Sequence, residues 1–225
     1  MLKGSIAERV ALIRQSLPAK VRLIAVTKQV SVTAMRQAYA AGIRDFGENR
    51  LQEARDKQGQ LQDLTDVTWH FIGHVQRNKA KAVVESFHWI HAVDRLSLAQ
   101  RLDQLAGVLE TRPKVCLQVK LWSDSTKQGW SEADLRAALS QLYACQHLNL
   151  CGLMAILPLG LTSTEILSAF EQVSNLAAQI RHHENYPLPI HQLSMGMSGD
   201  FQAAVQAGST MVRLGRILFG ERSSL

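Results

Sequence analysis

Strand-like and helix-like segments alternate along nearly the whole of this 225-residue chain, and that alternation restricts the fold more than any other feature. Such a pattern builds parallel strands joined by right-handed helical crossovers. Residues 21–28, 45–48, 68–73, 89–93, 114–121, 148–157, 190–195 and 210–214 read as strands. Between them, Ser31 caps a helix with Val32, Met35 and Tyr39 on one face, and Gly42 ends it. A polar helix runs to about Lys57, and another covers 78–87. A helix from near Ser97 aligns Leu98, Leu102, Leu105 and Leu109. Ser131-Glu132-Ala133-Asp134 resembles a capping box, with Leu135, Leu139 and Leu142 inward. Thr162-Ser163-Thr164-Glu165 opens a long helix to about Arg181, and residues 201–207 form a short one. An extra helix, 4–17, comes first. Eight units of this kind predict an α/β fold, a single (β/α)8 TIM-type barrel over residues 1–225. An open doubly wound sheet fits less well, because no G-x-G-x-x-G follows the first strand.

Composition narrows the classes. At 46% hydrophobic and 20% charged, the chain can bury a full core. Its net charge of +6 suits a phosphate ligand, but no Lys/Arg run of five or more occurs, so nucleic-acid binding is not expected. Cys116, Cys145 and Cys151 show no C-x-x-C spacing, which argues against disulfides and zinc. No signal-peptide core and no apolar stretch of 18 residues appear, so a cytoplasmic protein without membrane contact is expected.

The chemistry gathers at predicted strand ends. Lys28 closes the first strand. It reads either as a solvated lysine or as an imine-forming amine whose pKa of about 10.4 is lowered by burial or cationic neighbours. A class I aldolase uses the same amine, so the lysine alone does not choose a cofactor. Ser194-Met195-Gly196-Met197-Ser198-Gly199-Asp200 is a strand–turn–helix, either an anion cradle in which Ser194 and Ser198 add hydroxyls, or a tight loop with a cap. Arg213 and Gly215 share a face if the last strand continues, and Gly215 permits close backbone approach. In a (β/α)8 barrel the loops after strands seven and eight are the common phosphate site. Asn49 reads as a ligand contact or a helix cap. His70 reads as a satisfied core histidine, His74 as a group behind the site, and Lys127 as part of a mobile loop, 125–129.

Residues 23–28, Phe46-Gly47-Glu48-Asn49, Trp69-His70-Phe71-Ile72-Gly73, Gly152-Leu153-Met154, residues 193–198 and 208–215, and Phe219-Gly220 together resemble the pyridoxal phosphate homeostasis proteins. The resemblance spans nearly the whole chain. It implies a barrel similar to the N-terminal domain of alanine racemase, with pyridoxal 5'-phosphate (PLP) held on Lys28 as an internal aldimine. It also implies Ser194, Gly215 and the Arg216 backbone at the phosphate, and Arg213 near the pyridine nitrogen. Asn49, Met195 and Ser198 are expected to line the same cofactor site. Arg213 there would weaken the ring as an electron sink, and the chain ends too soon after strand eight for a second, substrate-facing domain. The expected function is a monomeric, non-catalytic holder of PLP in vitamin B6 homeostasis, with transient contact to PLP-dependent apo-enzymes. The alternative is a weak PLP-dependent amino-acid racemase or lyase.

Overall fold

The computed structural model describes residues 4–122 and 128–220, so Lys127 lies outside the described residues. Strands β1 (Arg22–Val26), β2 (Asp45–Glu48), β3 (Thr68–Phe71), β4 (Trp89–Val93), β5 (Lys114–Val119), β6 (Asn149–Ala155), β7 (Gln192–Ser194) and β8 (Met211–Leu214) pair in chain order, all parallel, as one closed barrel. The seam is β8 against β1, with Leu23 opposite Val212, Ile24 opposite Arg213 and Ala25 opposite Leu214. Alternation along the strands divides the core in two. Leu23, Ala25, Val212 and Leu214 face the helices as part of one large apolar cluster. Ile24, Trp89, Cys116, Met154 and Met211 form a second cluster inside the barrel.

Local chemistry sets the helix limits. Helix α1 (Ile6–Ser16) begins at Ser5, whose hydroxyl accepts from the Glu8 N–H while the Glu8 carboxylate reaches back, a complete capping box. Helices α2 (Val32–Ala40), α3 (Leu51–Gln60), α4 (Ala80–Ser86) and α5 (Leu96–Val108) follow their strands, α4 preceded by a 3-10 turn at Arg77–Lys79. The segment after β5 is two helices rather than one, α6 (Glu132–Ala137) and α7 (Leu139–Tyr143), broken at Ala138. Its capping box is half made. The Ser131 hydroxyl accepts from the Asp134 N–H at 3.1 Å, but Asp134 bonds the Ser131 hydroxyl, not its N–H. Aspartate is one methylene shorter than the glutamate that closes the box at α1.

Helix α8 (Ser163–Arg181) has the full reciprocal box from Thr162 and Glu165. Helices α9 (Phe201–Gln206) and α10 (Arg216–Phe219) complete the ring. Strand β7 is shorter than the expected 190–195, since the Ile190 N–H turns back to Leu188 O at 2.7 Å instead of joining the ladder. Strand β8 stops at Leu214, so Gly215 caps α10 instead of continuing the strand face with Arg213. Among the described residues, no helix is long and apolar enough to cross a membrane.

Candidate functional site

Lys28 sits half-buried in the turn after β1, at the barrel end where active sites of this architecture gather. The peptide groups on both sides of it are held. Thr27 N–H continues the ladder to Gly47 O at 2.9 Å, and Val30 N–H closes the turn onto Thr27 O at 2.9 Å. Lys57 Nζ, almost fully buried, donates to Thr27 O at 2.6 Å, to Glu48 Oε1 at 2.8 Å and to Glu53 Oε1 at 2.6 Å. Glu53 Oε1 also accepts from the Gln29 N–H at 2.5 Å. Gln29 has φ +58°, a left-handed conformation that a non-glycine residue adopts only where its surroundings hold it there. Glu48 is fully buried, and its Oε1 takes a second bond from the Thr27 hydroxyl at 2.6 Å. Burial raises its carboxyl above the ordinary value, against those two bonds and the charge of Lys57.

Around the same rim, Asn49 follows β2, and its Oδ1 is buried without a hydrogen-bond partner. Gly73 lies so close to Asn49 that a Cβ there would stand 2.3 Å from Asn49 O. Gly215 approaches the Val26 backbone, where an added Cβ would lie 3.3 Å from Val26 O. The first N–H groups of α10 belong to Arg216 and Ile217 and have no acceptor within the helix. Gly196, at φ +93°, lets the chain turn tightly against α9; a Cβ would meet Phe201 Cα at 2.8 Å.

Inside the barrel Arg213 is 4% exposed. One guanidinium nitrogen donates to Ser194 O at 2.5 Å and Ser194 Oγ at 2.7 Å, the other to Ala155 O at 2.9 Å. Burial lowers its pKa to about 10, so it remains a cation at neutral pH. Beyond Ser194 the bonds continue through His91 (Nδ1 to Ser194 Oγ, 2.8 Å), His70 (Nδ1 to His91 Nε2, 3.0 Å) and Asp45 (Oδ1 to His70 Nε2, 2.9 Å). Arg22 meets the same Asp45 oxygen at 2.8 Å.

The structure therefore gathers Lys28, Asn49, Arg213, Gly215 and the Arg216 backbone at one end of the barrel. Two of the expected cofactor contacts already have protein partners. Met195 donates its N–H to Met211 O at 3.1 Å, receives the Ser209 hydroxyl on its carbonyl at 2.9 Å, and buries its side chain in the core. The Ser194 hydroxyl is fully buried and bonded between His91 and Arg213. Ser198 lies in the turn before α9, lining a groove with Ser163 and Thr164 at the start of α8. His70 is the satisfied core histidine expected, and His74 sits 3.3 Å from Asp94.

Asp45, His91, Glu53 and Lys57 do not stand out in the sequence. A parity count could have found the first two, since 45, 70 and 91 fall on the inward positions of their strands. A cavity of about 540 Å³ bordered by Arg22, Trp89 and Lys114 opens at the other end of the barrel, away from Lys28.

Comparison with known proteins agrees with this architecture. The family described as alanine racemase, N-terminal domain, matches residues 3–223. The pyridoxal phosphate homeostasis protein of Synechocystis sp. is 48% identical over 207 residues, covering 92% of this chain and 94% of the relative. That of Escherichia coli K12 is 37% identical, covering 91% and 87%. The structure of PipY from Synechococcus elongatus with PLP bound superposes with a TM-score of 0.92 at 51% identity, over 96% of this chain and all of that one. Clostridium difficile alanine racemase matches at a TM-score of 0.75 and 15% identity, with 98% of this chain covering 60% of the enzyme, a likeness of fold. The chain belongs to the pyridoxal phosphate homeostasis protein family, built on the alanine racemase N-terminal domain.

Proposed function

We propose that this protein holds PLP at the C-terminal end of its barrel and takes part in vitamin B6 homeostasis without turning over a substrate. The observation that carries this is the amine of Lys28 on the same rim as a buried cation, Arg213, and a glycine-opened helix start at Gly215. PLP offers an aldehyde, a ring nitrogen and a phosphate, and the rim has a counterpart for each. The PLP-bound structure of PipY, half identical in sequence, supports the same assignment. Bound there, the cofactor would supply an aldehyde whose carbon condenses with the Lys28 amine, its oxygen leaving as water. The amide of Asn49, with its unsatisfied buried oxygen, has hydrogen-bonding capacity left for a ring substituent. Backbone N–H groups of Gly215 and Arg216 face the phosphate, aided by the Ser198 turn. Arg213 donates to the ring nitrogen and keeps it unprotonated, because a guanidinium has no acceptor to offer. That choice restrains carbanion chemistry and favours holding the cofactor over processing amino acids. The bound cofactor then passes to apo-enzymes through transient contact, with the holder acting as a monomer.

Borohydride reduction after incubation with PLP should fix the cofactor on the peptide containing Lys28, located by mass spectrometry. Lys28→Ala should lose both the label and the visible absorbance while melting within a few degrees of wild type; an unchanged band in that variant sinks the assignment. Deuterium exchange at Cα of alanine should run no faster than with free PLP. Sustained turnover of any amino acid would replace the holder with an enzyme.

A further inference from the structure

The interior of the barrel contains one unbroken line of hydrogen bonds, Arg213–Ser194–His91–His70–Asp45, with each link 2.7–3.0 Å long. Its two ends fix the direction of every proton. Asp45 is the accepting end. Burial works against its charge, but the bonds from His70 and Arg22 hold its carboxyl below the ordinary value. His70 therefore carries its proton on Nε2. Its bare Nδ1 accepts from His91 Nε2–H, the bare Nδ1 of His91 accepts the Ser194 hydroxyl, and Ser194 Oγ accepts from Arg213. These tautomers are assigned from partners. Both imidazoles are fully buried, and burial keeps them neutral.

We propose that Asp45, His70 and His91 are positioning residues for Arg213, acting through Ser194, and that they set how its guanidinium meets the ring nitrogen of PLP. The proposal rests on the PLP reading above. A serine hydroxyl alone is a rotor with one proton and two lone pairs. Here the line ending in a carboxylate draws that proton toward His91, so the lone pairs stay turned to Arg213. Hydrogen bonds in such a line polarise one another, which makes Ser194 Oγ a better acceptor for the cation. With Ser194 O and Ala155 O taking two further donors, the guanidinium plane has one orientation and still has N–H groups left for the ring nitrogen. Asp45, inward-facing at the opposite end of β2 from Asn49, thereby acts on the ring site from a distance.

The test compares PLP with its 1-deaza analogue, in which C–H replaces the ring nitrogen, both titrated against the full chain. Asp45→Asn and His91→Phe should raise the Kd for PLP about tenfold, the size of one charge-assisted hydrogen bond. The Kd for the analogue should change far less, because it has no nitrogen for Arg213 to meet. Equal losses for both ligands, or loss for neither, would overturn the positioning role. Should His91→Phe fail to fold, Asp45→Asn decides alone, since its side chain lies at the edge of the lumen. A wild-type chain that takes up neither ligand overturns the PLP reading, and the positioning role with it.

Discussion

Lys57 shows how one buried cation can organise a site it does not enter. Its ammonium bridges Glu48 and Glu53 and grips the peptide before Lys28, while Glu53 grips the peptide after it. Removing one partner of a buried ion pair costs about 3–5 kcal/mol, because the charge left behind has lost both water and counter-ion. Lys57→Met should therefore destabilise the protein strongly in urea denaturation. Adding Glu48→Gln should recover part of the loss, since the amide needs no cation; a fully additive double variant would show that the two side chains do not interact. The sequence could not reveal this role. Lys57 closes a polar helix, and its i−4 neighbour Glu53 looks like an ordinary surface pair. The partner that turns it inward, Glu48, belongs to a different element.

Secondary elements were legible where one local rule acts alone. The strands follow from apolar or alternating runs, and the caps at Ser31 and Thr162 from Ser/Thr followed by a good first turn, whereas the first helix, expected from residue 4, starts only after its cap at Ser5. Legibility failed where two rules compete. Leu135, Leu139 and Leu142 keep helical spacing, yet the helix breaks at Ala138 between them. Gly215 keeps strand parity with Arg213, yet it caps a helix pressed against Val26. The caps give a quantitative check. Thr162→Ala removes the acceptor for the Glu165 N–H and should cost about 1 kcal/mol, lowering Tm by about 2–4 °C for a chain of this size. Calorimetry on that variant beside Ser131→Ala should show the larger drop at 162, where the box is complete. Equal drops would mean that the reciprocal bond adds nothing.

Across the whole molecule, the polar lumen couples folding to pH. Burial depresses both His70 and His91 below their ordinary value of 6.5. The unfolded chain takes up protons on these rings near that value, and the folded chain does not. Stability is therefore fully present above about pH 6.5 and falls as the pH drops below it, with a slope of about 1.4 kcal/mol per pH unit for each histidine. Asp45, depressed in the folded state, loses its share at still lower pH, as it becomes protonated. Urea midpoints at pH 8, 6.5 and 5 should stay level over the first interval and drop over the second. A level second interval would mean that the folded protein accommodates charged imidazoles.

The barrel closes where β8 meets β1, and the proposed site straddles that seam, with Lys28 on one lip and residues 213–216 on the other. A bound molecule attached to both lips acts as a clasp on a hoop. During synthesis the first lip emerges nearly two hundred residues before the second, so the clasp cannot fasten until the hoop is whole. Capture of the cofactor would then mark a finished chain, and any truncation short of the eighth strand would lose the ligand and the closure together.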